Sequence, residues 1–588
     1  TTAGTPSDRS SSSTSRVATR APGAGVGTED EPVGGASSSP SEGYSQALDA
    51  IAQYDLDRAE RLLEPWRQHV VWHAAAFAEC ALLRVAICGR HAEAQVALDR
   101  VGLAEALLDD FTTANGDVVS RAGIQVTSAE LWLFRSVLLG LLGYRIRALY
   151  SLRQSWQLYR RLERVVEGPA FKSGADAKDR RTRPHRGAGG DDCRACTPLD
   201  ATDIRGRVCF GLGFFYLGTS LLPMGLSTLL RLAGFISHRD QGKALLASTA
   251  EGGLGARSSP AAIVLAMYHL DLEPNVNSAG ELLVNALGRT PENVLLHWAG
   301  SVLAWRNVCH AQAVEMTGKA LLCCGTELSK EALFLRYEIG VLHLVAFDAA
   351  AAYPHLRFVL DAARTQKVFF PYKVVLSAQV AAACFRSGRE SEGVALCLEA
   401  DKAQDWGSFL KIERECAKVM RIFGERRSLC RPLFAFEIVY LLRQLPKIPQ
   451  PMLLGLRQRL KEAAMPVTQA EQTLPAGLGG VGGNQEVLVE SVSAQVVDVV
   501  LCFYLADVDA AMEFVPQLSR LCLLLPDWAS YLSAHGLYWC GRLFALAAKP
   551  QDAIQCLRQA KAFKKYPFFI GEKISKVLVD MEKESCGR

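Results

Sequence analysis

Apolar side chains recur at intervals of three and four residues along most of the chain, and no segment of strand length alternates strictly between apolar and polar positions. The first spacing is typical of amphipathic α-helices, whereas alternation would indicate strands. Short turns of Gly, Asn or Asp separate the predicted helices, as in antiparallel helix pairs. The clearest predicted helices are Trp72 to Cys88, Leu131 to Leu142, Arg147 to Leu162 and Leu333 to Ala346.

One spacing repeats along the chain: a small residue at a helix crossing, an Ala twelve positions later, and further contact positions four and seven residues after that. It is complete in a C-terminal unit made of Gly541, Phe544, Ala553, Leu557 and Ala560, which Pro567 follows. Partial matches are Gly340, Ala352, Leu356 and Val359; Ala381, Cys384, Gly393, Cys397 and Ala400; Gly300, Ala313 and Ala320; and Tyr44, Ala59, Leu63 and Trp66. Such spacing is typical of tetratricopeptide repeats, whose two-helix units cover one another's apolar faces. An irregular helical bundle with ordinary small-residue crossings is the alternative.

These patterns predict an all-α fold in which tetratricopeptide-like helical hairpins stack into an α-solenoid. Three segments interrupt the pattern with few large apolar residues, and such segments cannot bury enough surface to offset their ordering entropy. The predicted organisation is a disordered tail (1–42), N-terminal helical hairpins (43–167), a disordered basic and Gly-rich insertion (168–206), a central helical array (207–465), a Gly-rich linker (466–485) and C-terminal helical repeats (486–588).

Composition supports a folded intracellular protein. The 588 residues are too many for one ordinary core, and 49% hydrophobic with 21% charged residues is a globular balance. A formal net charge of +4 gives no indication that nucleic acid or an anionic membrane is the main partner. No initiator Met and no apolar leader open the sequence, so either a secretory signal is absent or the sequence is truncated, and secretion is not expected. Single cysteines inside apolar helical stretches indicate small buried residues in a reducing compartment; they are Cys80, Cys88, Cys209, Cys309, Cys384, Cys416, Cys502 and Cys540.

One block is specific enough to suggest a family: Phe210 to Pro223, then Leu229 to Phe235, then Arg239, Asp240 and Gly242. It resembles the signature block of the tetratricopeptide repeat protein 39 family, which includes the fungal inclusion body clearance protein. The resemblance covers about Tyr44 to Glu584, through Leu152 to Tyr159, Met267 to His269, Trp298 to Gly300, Tyr337 to Gly340, and Pro567, Phe568 and Glu572. Two departures concern local turns: Met224 replaces a usual Pro, and the usual acidic insertion is here the basic segment 168–206.

The resemblance implies an intracellular helical scaffold without catalytic residues, connected to lipid homeostasis, protein turnover or inclusion-body clearance. We therefore expect a non-enzymatic adaptor that binds a peptide or helix of another protein in a concave groove. No catalytic, cofactor-binding or metal-binding residues are predicted, and neither nucleic acid nor a small-molecule substrate is expected as a partner. The expected location is cytoplasmic, with association with the mitochondrial outer membrane, the endoplasmic reticulum or lipid droplets left open. An enzyme with a site assembled from distant residues is a further alternative.

A membrane-associated organiser remains an alternative because the stretch from Val208 to Leu230 carries no charge and is long enough to cross a bilayer. Its four Gly residues and Pro223 favour a helical hairpin buried in the array instead. The membrane alternative is then peripheral contact of this hairpin with a mitochondrial or lipid-droplet surface. The basic segment Lys178 to Arg194 is interpreted as a solvated loop, with acidic partners or anionic lipid as the alternative.

Four further motifs suggest chemistry but lack the partners that it needs. Cys193 and Cys196 form only half of a zinc ligand set, and His69 and His73 share a helix face without a third ligand. The run Gly477 to Gly482 fits the dinucleotide fingerprint as a string, yet no strand precedes it. Lys243 follows Gln241 and Gly242 without the rest of a phosphate loop. We interpret Cys193 and Cys196 as thiols in a loop, and His69 and His73 as packing or surface residues. We interpret the Gly run as a flexible linker and Lys243 as a solvated helix residue.

Overall fold

The computed structural model describes Phe171 and the ranges 40–88, 91–111, 118–169, 199–221, 234–253, 255–324, 328–365, 372–400, 411–429, 431–473, 483–563 and 570–585. Within these ranges the chain forms 25 α-helices and no strand. The predicted all-α fold is confirmed.

Eight helices form the N-terminal part, and each packs against its neighbours in chain order. They are α1 (Pro40–Gln53), α2 (Leu56–Leu63), α3 (Val71–Cys88), α4 (His91–Phe111), α5 (Val118–Leu141), α6 (Arg145–Glu167), α7 (Ala201–Ser220) and α8 (Arg239–Glu251). The carboxylates of Asp55 and Asp200 accept hydrogen bonds from the first turns of α2 and α7. These caps satisfy backbone N–H groups that a helix start leaves unpaired.

The middle part continues the same order of packing. It consists of α9 (Ser258–Asp271), α10 (Val276–Arg289), α11 (Val294–Arg306), α12 (His310–Leu322), α13 (Lys330–Val345), α14 (Ala349–Thr365), α15 (Lys373–Arg386) and α16 (Glu390–Glu399). A Cβ atom on Gly340 would lie 2.6 Å from Cγ of Leu356. The absence of a side chain therefore lets α13 and α14 approach where the repeat spacing predicts their crossing.

Nine helices form the C-terminal part: α17 (Lys411–Arg426), α18 (Leu433–Leu441), α19 (Gln450–Thr473), α20 (Gly483–Leu505), α21 (Val508–Met512), α22 (Val515–Leu521), α23 (Ser530–Leu546), α24 (Pro550–Ala562) and α25 (Ile570–Ser585). A Cβ on Gly541 would lie 2.9 Å from Cγ of Leu557 and 3.2 Å from the carbonyl oxygen of Ala553. The complete repeat unit in the sequence is thus a tight crossing of α23 and α24.

Four helix boundaries differ from the segment boundaries expected from composition. Helix α1 begins at Pro40, inside the expected tail 1–42, and α20 begins at Gly483, inside the expected linker 466–485. Helix α7 begins at Ala201, inside the expected insertion 168–206, because Asp200 caps it. Helix α19 continues through Pro466 to Thr473, inside the expected linker 466–485. Pro466 removes one backbone N–H, and it lies on an exposed stretch where water can satisfy the carbonyl left without a partner.

The N-terminal helices also pack on the middle of the chain. The side chain of Asn293 donates a hydrogen bond to the carbonyl oxygen of Ala52, and Lys330 forms an ion pair with Glu93. Helix α3 contacts α13, and residues of the middle part join the hydrophobic core of α1 to α7. These are Val294, Ala320 and Leu335. The N-terminal helices therefore cover part of α11 and α13.

Candidate functional site

Four buried charged residues join successive helix pairs of the N-terminal part. We call Glu79 on α3, Glu130 on α5, Arg207 on α7 and Arg257, in a 3-10 turn before α9, the N-terminal charge network. Arg257 donates to Glu79 Oε2 at 2.9 Å and to Glu130 Oε1 at 2.8 and 3.0 Å, and Arg207 pairs with Glu130. The network therefore links α3, α5, α7 and the turn before α9.

The electrostatics of this network favour its ionised form. Burial raises the pKa of Glu79, but the charge and hydrogen bonds of Arg257 outweigh that effect and hold the pKa below its usual range. The cavity beside these residues measures about 10 Å³, which is room for one water at most. No substrate fits there, so the network acts as a structural tie.

A second buried group lies in the C-terminal part. We call Arg427, Glu437 on α18, Glu490 on α20 and Tyr531 on α23 the C-terminal charge network. Arg427 donates to Glu490 Oε1 at 2.8 Å and to the Tyr531 hydroxyl at 3.0 Å, and it pairs with Glu437. Tyr531 in turn donates to Glu437 Oε2 at 2.8 Å. Burial raises the pKa of Glu490, and Arg427 offsets only part of that rise.

An open cleft of about 340 Å³ lies between α19 and α20. Its lining alternates apolar and polar side chains, namely Leu460, Lys461, Ala464, Thr468, Ser491, Ala494, Gln495, Asp498 and Phe514. Clefts of this size that combine apolar and polar side chains can bind ligands. An amphipathic helix of a partner can place its apolar side chains in such a groove and its polar ones at the rim.

The local sequence explains why the cleft forms. Leu453, Leu456 and Leu460 are buried at helical spacing on α19, and the small residues Ala464 and Ala494 then leave room between the two helices. At one end Arg457 ties the helices together. Its guanidinium lies 2.6 Å from Asp498 Oδ1 and 2.8 Å from Asp507 Oδ2. These contacts fix the positions of α19 and α20 at that end of the cleft.

The two histidines weighed as metal ligands lie in different environments. His73 is 2% exposed and packs against Tyr44 with ring centroids 5.4 Å apart, and burial lowers its pKa to about 4. His69 is exposed in the turn before α3. Among the described residues no group of three or more His, Cys, Asp or Glu side chains is arranged to hold a metal ion.

Most other candidate residues are either paired or outside the described ranges. Lys243 lies on α8 and pairs with Glu273 at 3.1 Å and Asp240 at 3.3 Å, so it is a helix residue engaged in surface ion pairs. The motifs at Cys193 and Cys196, Gly477 to Gly482 and Lys178 to Arg194 fall in ranges that the structure does not describe.

The cysteines agree only in part with the expectation that they are buried. Cys80, Cys384, Cys416, Cys502 and Cys540 are buried without a disulfide. The prediction is wrong for Cys309, which is exposed, and Cys209 is only half-buried. Cys309 lies in the turn just before α12, and the apolar pattern around it belongs to the flanking helices.

The apolar stretch from Val208 to Leu230 is described as far as Leu221 and lies mainly in α7. Val208, Leu212 and Phe215 are buried there against neighbouring helices. Within the described ranges, one helix has the length and apolar composition of a membrane span, Gln485–Leu505. That helix is 61% buried and carries Glu490 of the C-terminal charge network, so it is a core helix.

The stacked helix pairs and their crossings define a helical-repeat protein of the tetratricopeptide class. Within that class, residues 45–305 match the family model described as Iml2/Tetratricopeptide repeat protein 39. The match confirms the predicted resemblance to this family over residues 45–305.

Two solved structures are similar to the chain at low identity. Yeast Tom70 shares 11% identity over 92% of this chain and 95% of its own, with a TM-score of 0.26. A monomeric mutant of IFIT1, solved with m7Gppp-AAAA, shares 13% identity over 89% of this chain and 94% of its own, also with a TM-score of 0.26. At these TM-scores neither likeness supports an argument about this chain.

Proposed function

We propose that this protein is a non-enzymatic scaffold that binds an amphipathic helix of another protein in the cleft between α19 and α20. The observation that carries the proposal is the open 340 Å³ cleft, in which apolar and polar side chains alternate. Ala464 and Ala494 accept apolar side chains of the bound helix, while Lys461 and Asp498 face its polar side.

At the N-terminal charge network, the position of the shifted group supports a structural role rather than catalysis. Functional sites usually combine shifted pKa values with a cavity that admits a substrate. In the N-terminal charge network the shifted pKa of Glu79 lies beside a cavity of only about 10 Å³. Its carboxylate is engaged with Arg257, so it stabilises the fold and leaves recognition to the surface.

The family supports a more specific assignment of the scaffold. We infer a cytoplasmic adaptor whose partners belong to lipid homeostasis, to turnover of regulatory proteins or to clearance of protein inclusions. In that assignment the described helices bring a partner to its site of action, and no cofactor takes part.

The test fills the cleft in the full-length protein. Ala464→Trp places an indole between α19 and α20, whereas Met465→Trp adds the same group at the next position, which is 53% exposed and does not line the cleft. Proximity labelling in cells identifies partners, and binding of each purified partner is then measured. We expect Ala464→Trp to lose a partner that Met465→Trp retains. Identical partner sets and affinities for the two variants would contradict the proposal.

A further inference from the structure

The turn between α5 and α6 exposes an unusual number of large apolar side chains. Ile146 is 87% exposed, and its neighbours on this tip are each at least 40% exposed. We call the following residues the α5–α6 tip: Val137, Leu141, Tyr144, Ile146, Leu149 and Tyr150. Single exposed apolar residues are ordinary, whereas a contiguous group indicates a surface that meets an apolar environment.

The charge around the tip has one sign. From Leu131 to Leu162 the sequence contains no Asp or Glu, and its basic residues are Arg135, Arg145, Arg147, Arg153, Arg160 and Arg161. Arg135 pairs with Glu105 on α4, and Arg160 pairs with Glu163. Within the described part of the chain, Arg145, Arg147 and Arg153 form no ion pair. These three guanidinium groups are available to an anionic partner.

Helical geometry brings the apolar and basic groups to one surface. Ile146, Leu149, Tyr150 and Arg153 follow the spacing of three, four and seven residues that places side chains on one helix face. Arg153 therefore lies about 10 Å along the axis from Ile146. Tyr150 packs edge-on against Trp132 at 6.1 Å, which gives the exposed face a rigid aromatic base.

We propose that the α5–α6 tip docks on an anionic lipid bilayer. Ile146, Leu141 and Leu149 enter the boundary between headgroups and acyl chains, and Tyr144 and Tyr150 lie at the level of the headgroups. Arg145, Arg147 and Arg153 bind lipid phosphates, to which guanidinium groups donate paired hydrogen bonds.

The form of the surface favours a bilayer over a protein partner. The tip surrounds the turn of the α5–α6 hairpin, and its most exposed aliphatic side chain lies at the start of α6, a position that suits insertion into a deformable interface. Protein partners of helical repeats are usually held in concave grooves. The docking uses α5 and α6 and is independent of the proposed cleft between α19 and α20.

The test measures cosedimentation of the full-length protein with phosphatidylcholine vesicles that contain or lack phosphatidylserine. We expect binding to the phosphatidylserine vesicles that weakens with added salt, and much weaker binding to phosphatidylcholine alone. Ile146→Glu should lower the affinity about tenfold or more, because it removes an inserted side chain. Arg147→Gln should lower it about fivefold.

The matched control is Leu322→Glu, which changes an apolar residue that is 85% exposed at the end of α12. It should leave vesicle binding unchanged, and circular dichroism should show the same helix content for all variants. Three results would overturn the proposal: no binding to anionic vesicles, equal binding to both vesicle types, or equal losses for Leu322→Glu and Ile146→Glu. The first would leave an acidic protein as the occupant of the tip.

Discussion

The N-terminal charge network opposes two arginines to two glutamates, whereas the C-terminal network opposes one arginine to two glutamates. Both are buried and both link successive helices. In the first, the guanidinium of Arg257 holds the pKa of Glu79 below its usual range despite burial. In the second, Arg427 serves two carboxylates, and the pKa of Glu490 is raised by burial and by Glu437.

The charge balance gives the two networks opposite responses to acid. A carboxyl group with a lowered folded pKa, such as Glu79, contributes stability that is present above its unfolded pKa and is lost as the pH falls through the folded value. Glu490, with a raised folded pKa, contributes stability that is present below its unfolded pKa and is lost as the pH rises through the folded value. Acidification below the ordinary glutamate range therefore removes the stability that Glu79 contributes, whereas protonation of Glu490 at higher pH removes none.

The largest expected effect comes from the C-terminal charge network, in which one arginine faces two glutamates. Arg427→Met leaves Glu437 and Glu490 buried with no cation in their network, and breaking a buried pair in this way costs about 3–5 kcal/mol. Arg257→Met should cost less, because Arg207 still faces Glu130. The midpoint of urea unfolding, followed by circular dichroism at neutral pH, measures both. A larger loss for Arg257→Met would reverse our ranking of the networks.

A smaller loss of stability is expected when an alanine replaces a glycine at a helix crossing in either region. A Cβ on Gly242 would meet the backbone of α7, at 2.8 Å from the Leu217 nitrogen and 3.0 Å from the Gly213 oxygen. The nearest atom to a Cβ on Gly541 belongs to the Leu557 side chain, which can shift. We expect Gly242→Ala to cost about 2–3 kcal/mol and Gly541→Ala about 1 kcal/mol, measured as shifts of the unfolding midpoint.

Gly455→Ala is the control for these crossings, because no atom lies within 4 Å of its added Cβ. It should stabilise α19 by about 0.5–1 kcal/mol. Equal losses of stability for Gly242→Ala and Gly541→Ala would contradict this prediction. They would show that an added Cβ costs the same against backbone as against a side chain.

The smallest effect is the difference between two matched glutamine variants. At neutral pH, Glu79→Gln should cost about 1–2 kcal/mol, because it removes the charge that faces Arg257. Glu490→Gln should change stability less, because its network already has excess negative charge. The midpoints of urea unfolding, measured near neutral pH and near pH 4.5, then test the directions of the two pKa shifts. The deficit of Glu79→Gln should shrink in acid, while that of Glu490→Gln should grow or stay small; parallel curves would contradict opposite pKa shifts.

The helices and their crossings could be predicted because their signals are local. Gly541 and Leu557 are close in sequence, and their contact follows from one hairpin. The charge networks depend on residues far apart, such as Arg257 and Glu79, which are separated by 178 positions. Glutamates within apolar helices, such as Glu79 and Glu437, are the available signal, since such a charge needs a buried partner. The cleft between α19 and α20 arises from small side chains on helices joined by a long connection, and no spacing rule identifies it.

The contact between Asn293 and Ala52 spans 241 positions, which has a consequence during synthesis. At translation rates of about 5–20 residues per second, the ribosome needs about 12–48 s to deliver the later partner. Through that interval the nascent α1 to α4 region lacks its cover from α11 to α13 and exposes apolar surface. Cotranslational chaperones are therefore expected to hold the emerging chain until its own middle section arrives.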